Sequence, residues 1–266
     1  MADEKICNNK LQYDSDEVDD DDGDDDCNED TGSDCGLFLE KLYIGSRKKL
    51  VIFSLNGLLV HRVIRYNRAK IPSNRTPDGT YGSYLVFRRP FCEEFMQFCF
   101  ERFEVGILSS AQVKNVDGVL DCVMGKLRRR LSFVWDQHEC TDSGFKSLED
   151  NRKPLFFKEL DKVWSYFSGK YSESDTLFID DQPYKGLLNP PNTGIFLESY
   201  DAENDNDKEL DPKRELGKYL DGLADAKDVQ IYVKENPFGQ PAVSSTHPYW
   251  KFYSNVLRRL RKQYER

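Results

Sequence analysis

Residues 50–59 read Leu-Val-Ile-Phe-Ser-Leu-Asn-Gly-Leu-Leu: an apolar run, a polar tip holding Ser54 and Asn56, and a glycine turn. Two aspartates at this Asp-x-Asp spacing would supply a nucleophile and a proton donor for phosphoryl transfer. Here a hydroxyl and an amide take both places. Three further features suit a phosphate: Ser109 closing Val105-Gly-Ile-Leu-Ser, Lys158 in Phe-Phe-Lys-Glu-Leu, and the pair Asp180-Asp181 closing Thr176-Leu-Phe-Ile-Asp-Asp. Ser109 offers a hydroxyl donor, Lys158 an ammonium, and two adjacent carboxylates can hold a hard cation such as Mg2+. Taken singly, paired acids after a strand are also common loop caps.

These residues need elements to bring them together. Leu50–Leu55 is short, continuous and rich in Val, Ile and Phe, which favours a buried strand. Val105–Ser109, Leu131–Trp135, Thr176–Asp180 and Gly194–Leu197 read as four more strands. Apolar residues at helical spacing predict helices over 91–103, opened by Pro90, over about 112–130, over 154–167 and over 214–235 with a break near Gly222. Residues 61–84 read as a loop or small hairpin, 136–152 as polar and irregular, and 200–213 as an acidic surface loop. Strands alternating with helices, each strand ending in polar groups, predict an α/β fold with a parallel sheet. Ligands of such sheets lie beyond the carboxyl ends of the strands, so Ser54, Ser109, Asp136, Asp180 and Asp181 are expected to share one crevice.

Charge divides the chain of 266 residues. Residues 1–36 hold 15 Asp/Glu and 2 Lys, a balance of −13; the remainder holds 36 Lys/Arg and 32 Asp/Glu, a balance of +4. Such a block of like charge is expected to be a disordered acidic tail. Residues 37–235 then form the main domain. Residues 236–266 are expected to supply a loop and an amphipathic helix that packs back on it. The seven cysteines form no Cys-x-x-Cys pair, and the start has no apolar leader, so reduced thiols in the nucleus or cytoplasm are expected. No run of about 18 apolar residues suggests a membrane span. Neither Gly-x-x-x-x-Gly-Lys nor Gly-x-Gly-x-x-Gly occurs, which leaves nucleotide use unindicated. The runs Lys126-Leu-Arg-Arg-Arg and Arg258-Arg-Leu-Arg-Lys read as solvated helix faces rather than nucleic-acid sites. His138-Glu-Cys140 lacks the second ligand pair of a zinc site.

In order and context the motifs become specific. The chain resembles the haloacid-dehalogenase-like phosphatases, and within them the NLI-interacting-factor-like branch that includes phosphatases of the RNA polymerase II C-terminal domain. The resemblance runs from about Lys48 to Tyr200. It is carried by Phe87-Arg-Arg-Pro-Phe, Val105-Gly-Ile-Leu-Ser-Ser-Ala, Phe133-Val-Trp-Asp-Gln and Ile179-Asp-Asp-Gln-Pro-Tyr-Lys-Gly-Leu-Leu-Asn-Pro-Pro. Asn236-Pro-Phe-Gly-Gln is similar to plant-type members. The resemblance implies a Rossmann-like parallel sheet flanked by helices, with a small insertion between its first two strands and a polar insertion after its third. It aligns the nucleophile with Ser54 and the acid/base with Asn56. Phosphate binding falls to Ser109 and Lys158, and Mg2+ binding to Asp180, Asp181 and the main-chain carbonyl of Asn56.

The two changed positions bear on catalysis directly. A carboxylate nucleophile forms an acyl phosphate that water cleaves, whereas a phosphorylated serine is a monoester, among the slowest substances to hydrolyse unaided. Asn56 cannot shuttle a proton, a loss of roughly 10²–10⁴-fold. Loss of the carboxylate at Ser54 weakens Mg2+ binding. The expectation is a phosphatase-like protein that has lost, or nearly lost, catalysis and acts by binding a phosphoprotein or other partner, a phosphoserine or phosphothreonine protein or peptide among them. The alternatives are an active Mg2+-dependent serine/threonine phosphatase, and a structural receptor similar to the phosphatase-like subunit of the mitochondrial import translocase.

Overall fold

The computed structural model describes residues 47–264, so the acidic tail expected over 1–36 lies outside the described residues. The chain begins with β1 (Leu50–Phe53) and then leaves the main sheet for β2 (Val60–Ile64), β3 (Gly79–Tyr81) and β4 (Tyr84–Arg88). It returns through helix α1 (Cys92–Arg102) to β5 (Glu104–Leu108), helix α2 (Val113–Val123) and β6 (Phe133–Trp135). A second excursion, β7 (Thr141–Lys146) and β8 (Pro154–Phe157), precedes helix α3 (Leu160–Tyr166), β9 (Thr176–Asp180) and β10 (Gly194–Phe196). Helices α4 (Glu215–Asp225), α5 (Val229–Glu235) and α6 (Trp250–Tyr264) complete it.

The central sheet is parallel, in the order β10-β9-β1-β5-β6. Residues of β1 are fully buried because both faces of the sheet are covered, which is why the strand reads as an unbroken apolar run. Its side chains alternate between two cores. Val51 and Phe53 join residues of α1, α2, α4 and α5, while Leu50 and Ile52 join Leu160, Val163 and Trp164 of α3. Phe53 meets Phe95 of α1 edge to face, with ring centroids 5.8 Å apart. Among the described residues, no helix is long and apolar enough to cross a membrane.

The insertion between β1 and β5 is larger than a hairpin: β2, β4 and β3 form an antiparallel three-stranded sheet. The acidic segment after β10 holds it down. Glu203 accepts from the Ser73 backbone and hydroxyl, Asn74 donates to Asp205, and Arg75 donates to the Tyr200 hydroxyl at 2.7 Å. Asp207 pairs with buried Arg89 at 2.9 Å, and Leu210 is fully buried. Residues 200–213 are thus the expected acidic surface loop, fastened down as a strap.

The helix expected over 154–167 is two elements. Leu155 and Phe157 are buried while Pro154 is exposed and Phe156 half-buried. That period of two makes Pro154–Phe157 the strand β8, paired antiparallel with β7. Helix begins only at Leu160. Pro154 opens an edge strand, and the stretch 136–152, expected to be irregular, contains its partner β7. The helix expected over 214–235 breaks at 226–228, not at Gly222, because the Asp228 side chain caps α5 by accepting from Ile231 N–H at 2.9 Å. Gly222 lies inside α4, where a Cβ would stand 2.5 Å from the Tyr232 hydroxyl.

Helix α6 packs its apolar stripe, Tyr253, Val256 and Leu260, on Leu155 and Phe157 of the β7–β8 hairpin. Tyr184 stacks on Tyr253 at 5.9 Å.

Candidate active site

Register brings the chemistry together. Phe53 of β1 lies opposite both Ile107 of β5 and Ile179 of β9, so the three strands end level. Ser54 N–H donates to Ile179 O at 2.9 Å, and Ser109 N–H to Trp135 O at 2.9 Å. Ser54, Ser109 and Asp181 consequently line one cavity of about 690 Å³ at the carboxyl edge of the sheet, together with Asn56, Gly57 and Lys185. Lys158 and Asp180, both fully buried, lie beneath it.

Lys158 reaches the site from the end of β8. Its backbone N–H donates to Lys185 O at 2.9 Å, and the Asn189 side chain donates to Lys158 O at 2.9 Å. The ammonium donates to Asp180 Oδ2 at 2.6 Å and to Ser54 Oγ at 3.0 Å. Lys185 donates to Asp180 Oδ1 at 3.1 Å and stands 3.7 Å from Asp181 Oδ1. Burial opposes ionisation of Asp180, but Lys158 and Lys185 outweigh it and hold that carboxyl well below the usual range. Burial likewise opposes a charge on Lys185, yet Asp180 and Asp181 outweigh it and push this ammonium up. For Lys158 burial prevails and lowers its pKa against the pull of Asp180. Burial raises Asp181, with Lys185 opposing.

The two positions that the resemblance aligns with aspartates are differently placed. Ser54 is buried beside Lys158. Asn56 is exposed, and its Oδ1 accepts from Arg62 N–H at 3.0 Å, so the amide fastens the start of the insertion. Gly57 turns the chain with φ +87°, and a Cβ there would fall 2.1 Å from Asp181 Oδ2. This glycine lets the tip of β1 close over the acid.

Asp136 does not join them. It follows β6, the edge strand, and its carboxylate turns back to accept from His138 N–H at 2.9 Å and to meet His138 Nδ1 at 2.6 Å. Gln137 lines the cavity instead. Two participants escaped the sequence reading. Lys185 stands four residues after Asp181 in the tight turn opened by Pro183, a spacing that suits an ion pair. Ser199, whose hydroxyl donates to Asp181 Oδ2, lies just past β10 and obeys the strand-tip rule already used for the others.

Mg2+ is the cation that the sequence resemblance implies for this crevice. The carboxylates here suit it poorly. Asp180 Oδ1 accepts from Lys185 and from Gln182 N–H, and Oδ2 from Lys158. Asp181 Oδ2 accepts from Ser199 and Gln182, which leaves Asp181 Oδ1 as a buried oxygen without a hydrogen-bond partner. That one free carboxylate oxygen stands 3.7 Å from the Lys185 ammonium, which opposes a second cation there. A divalent ion about 4 Å from Lys185 would meet roughly 8 kcal/mol of gross repulsion at an effective dielectric of about 20. Among the described residues, no group of three or more His, Cys, Asp or Glu is gathered as a metal site.

The family model for NLI interacting factor-like phosphatases matches residues 49–230. A Schizosaccharomyces pombe protein described as uncharacterized and containing an FCP1 homology domain is 25% identical over 227 residues, covering 81% of this chain and 88% of that protein. A Dictyostelium discoideum protein described as a "Probable C-terminal domain small phosphatase" is 25% identical, with 71% of this chain and 55% of that protein covered. The human ubiquitin-like domain-containing CTD phosphatase 1 is 25% identical, with 62% and 47% covered. The chain thus spans about half the length of the last two. Among solved structures, the fission yeast RNA polymerase II CTD phosphatase Fcp1, an arginine variant bound to beryllium fluoride, is similar at a TM-score of 0.40 and 14% identity, covering 86% of this chain and 67% of that one.

Proposed function

The chain belongs to the NLI interacting factor-like phosphatase family, and from that premise we propose that it binds a phosphorylated serine or threonine of a partner protein without turning it over. The observation that carries this reading is the contact of Lys158 Nζ with Ser54 Oγ at 3.0 Å. The ammonium that would neutralise a phosphate is in place, and the group it faces is a hydroxyl. An ammonium paired to Asp180 at 2.6 Å donates to Ser54 rather than taking its proton, so it does not activate the serine as a nucleophile. Asn56, tied to Arg62, supplies no proton to a leaving group. The hydroxyls of Ser54 and Ser109 and the charge of Lys158 remain as donors to phosphate oxygens. Relatives described as CTD phosphatases favour a phosphoprotein as the ligand.

The test uses purified full-length chain with p-nitrophenyl phosphate and Mg2+, and in parallel a serine peptide array in phosphorylated and unphosphorylated forms. Wild type is expected to show no turnover above a Lys158→Ala control and to retain phosphopeptides selectively. Ser109→Ala, a smaller change, should weaken that retention. The double variant Ser54→Asp/Asn56→Asp should gain turnover. Mg2+-dependent turnover by wild type, or equal retention of both peptide forms, would sink the proposal.

A further inference from the structure

We infer that the ammonium of Lys185 is the resident cation of this crevice, and that the crevice takes an anion without a divalent metal. The observation begins with charge. Two ammoniums, Lys158 and Lys185, and two carboxylates, Asp180 and Asp181, are buried together and sum to zero. An aspartate in place of Ser54 would leave that group one negative charge in excess, a deficit for an added cation to settle. Ser54 removes the deficit at its source.

Geometry agrees with the charge count. Lys185 spans the acid pair, 3.1 Å from Asp180 Oδ1 and 3.7 Å from Asp181 Oδ1, and lines the cavity itself. Its position is not that of a loose side chain. It sits in the short 3-10 turn Pro183–Gly186, its N–H donates to Gln182 O at 3.1 Å, and its carbonyl receives the N–H of Lys158. The backbones of the two lysines are thus tied to each other, and both ammoniums hold Asp180 from opposite oxygens. Asp180 has no oxygen to spare, and a metal at the unpartnered Asp181 Oδ1 would have to displace or face Lys185. A buried ammonium between two carboxylates is satisfied only while both partners remain ionised and close, so the arrangement holds itself in place. The hydroxyls of Ser54 and Ser109 then face the cavity as neutral donors toward an anion. The anion half of this inference rests on the phosphate reading above; the cation half does not.

The experiment follows Mn2+, a paramagnetic stand-in for Mg2+, by the loss of its free-ion EPR signal on adding EDTA-treated full-length chain. The 15 Asp/Glu of residues 1–36 also attract Mn2+, so Asp181→Asn sets the baseline, and wild type is expected to diminish the signal no further than that variant does. Ser54→Asp/Lys185→Met is expected to bind one Mn2+ per chain beyond that baseline. Should that variant fail to fold, Ser54→Asp alone serves: Mg2+ should raise its melting temperature and leave that of wild type unmoved. In a second arm, calorimetry with inorganic phosphate should give wild type the same affinity, within about twofold, in EDTA and in Mg2+. One-to-one Mn2+ binding by wild type that Asp181→Asn abolishes overturns the inference. So does phosphate binding that appears only with Mg2+. Absence of phosphate binding in both buffers overturns the anion half together with the phosphate reading, and the EPR titration alone then decides the resident cation.

Discussion

Replacing Asp180 by asparagine removes the one carboxylate that both buried lysines share. Its contacts at 2.6 Å with Lys158 and 3.1 Å with Lys185 correspond to gross attractions of about 6 and about 5 kcal/mol at an effective dielectric of about 20. Desolvation of three buried charges consumes much of that, so the quantity an experiment reads is the cost of orphaning a buried partner, about 3–5 kcal/mol. Lys185 keeps Asp181, whereas Lys158 keeps only the Ser54 hydroxyl. For a domain of this size about 2–4 °C of melting temperature goes with each kcal/mol, so Asp180→Asn should melt about 6–20 °C lower. Differential scanning calorimetry at neutral pH measures it.

A pH series separates this cause from generic loss of packing. Without Asp180, burial pushes Lys158 further down than it already stands. The unfolded chain, with lysines near pKa 10.4, then binds more protons than the folded one, and stability rises with pH. The deficit of Asp180→Asn relative to wild type should therefore shrink as pH climbs from 7 towards 10. In wild type the corresponding acid limb belongs to Asp180 itself. Its depressed pKa gives stability that is complete above the unfolded carboxyl value and lost as pH falls through the folded one. A variant that melts within about 2 °C of wild type, well below the drop such a loss implies, or whose deficit is flat with pH, refutes the shared-carboxylate account.

Two other outcomes are expected. Gly57→Ala should cost about 1–3 kcal/mol and disturb the crevice, since it places a Cβ against Asp181 at a residue with φ +87°; urea denaturation reads the loss and Ser54→Ala provides the comparison. Burial raises the thiols of Cys92 and Cys140 to about 12 and about 11, and Cys99 well above its usual value, so iodoacetamide at pH 8 should label Cys122 ahead of these three in the native protein, as peptide mapping would show.

The parallel sheet was legible because its strands are buried on both faces and write themselves as apolar runs, each ending in a polar residue. That same rule placed Ser54, Ser109, Asp180 and Asp181 at one edge. It misplaced Asp136, because nothing in the run Phe133-Val-Trp-Asp marks β6 as the edge strand whose tip turns aside. Lys158 was found by its motif but set on a helix: Pro154 imitates a helix start, and the strand's period of two extends over four residues only. Lys185 and Ser199 were passed over although spacing and strand-tip position hinted at them, because their significance lies in distances to Asp181 across a turn and a neighbouring strand. The acidic surface loop was legible, but its fastening was not, since composition records charge and not the Arg89 that awaits Asp207.

The seating of α6 on the β7–β8 hairpin bears on how the protein is made. The hairpin that delivers Lys158 buries Leu155 and Phe157 against Tyr253, Val256 and Leu260, and those residues are polymerised roughly 100 residues after β8. At about 5–20 residues per second a ribosome takes some 5–20 s to cover that distance. Strands β9 and β10 are made in the first part of that interval; for the remainder the nascent chain holds every strand of the parallel sheet beside a hairpin with its greasy side bare. The crevice becomes complete only when the last helix arrives, so a stalled or shortened translation product would present the sheet, the acids and the serines without the lysine held in place.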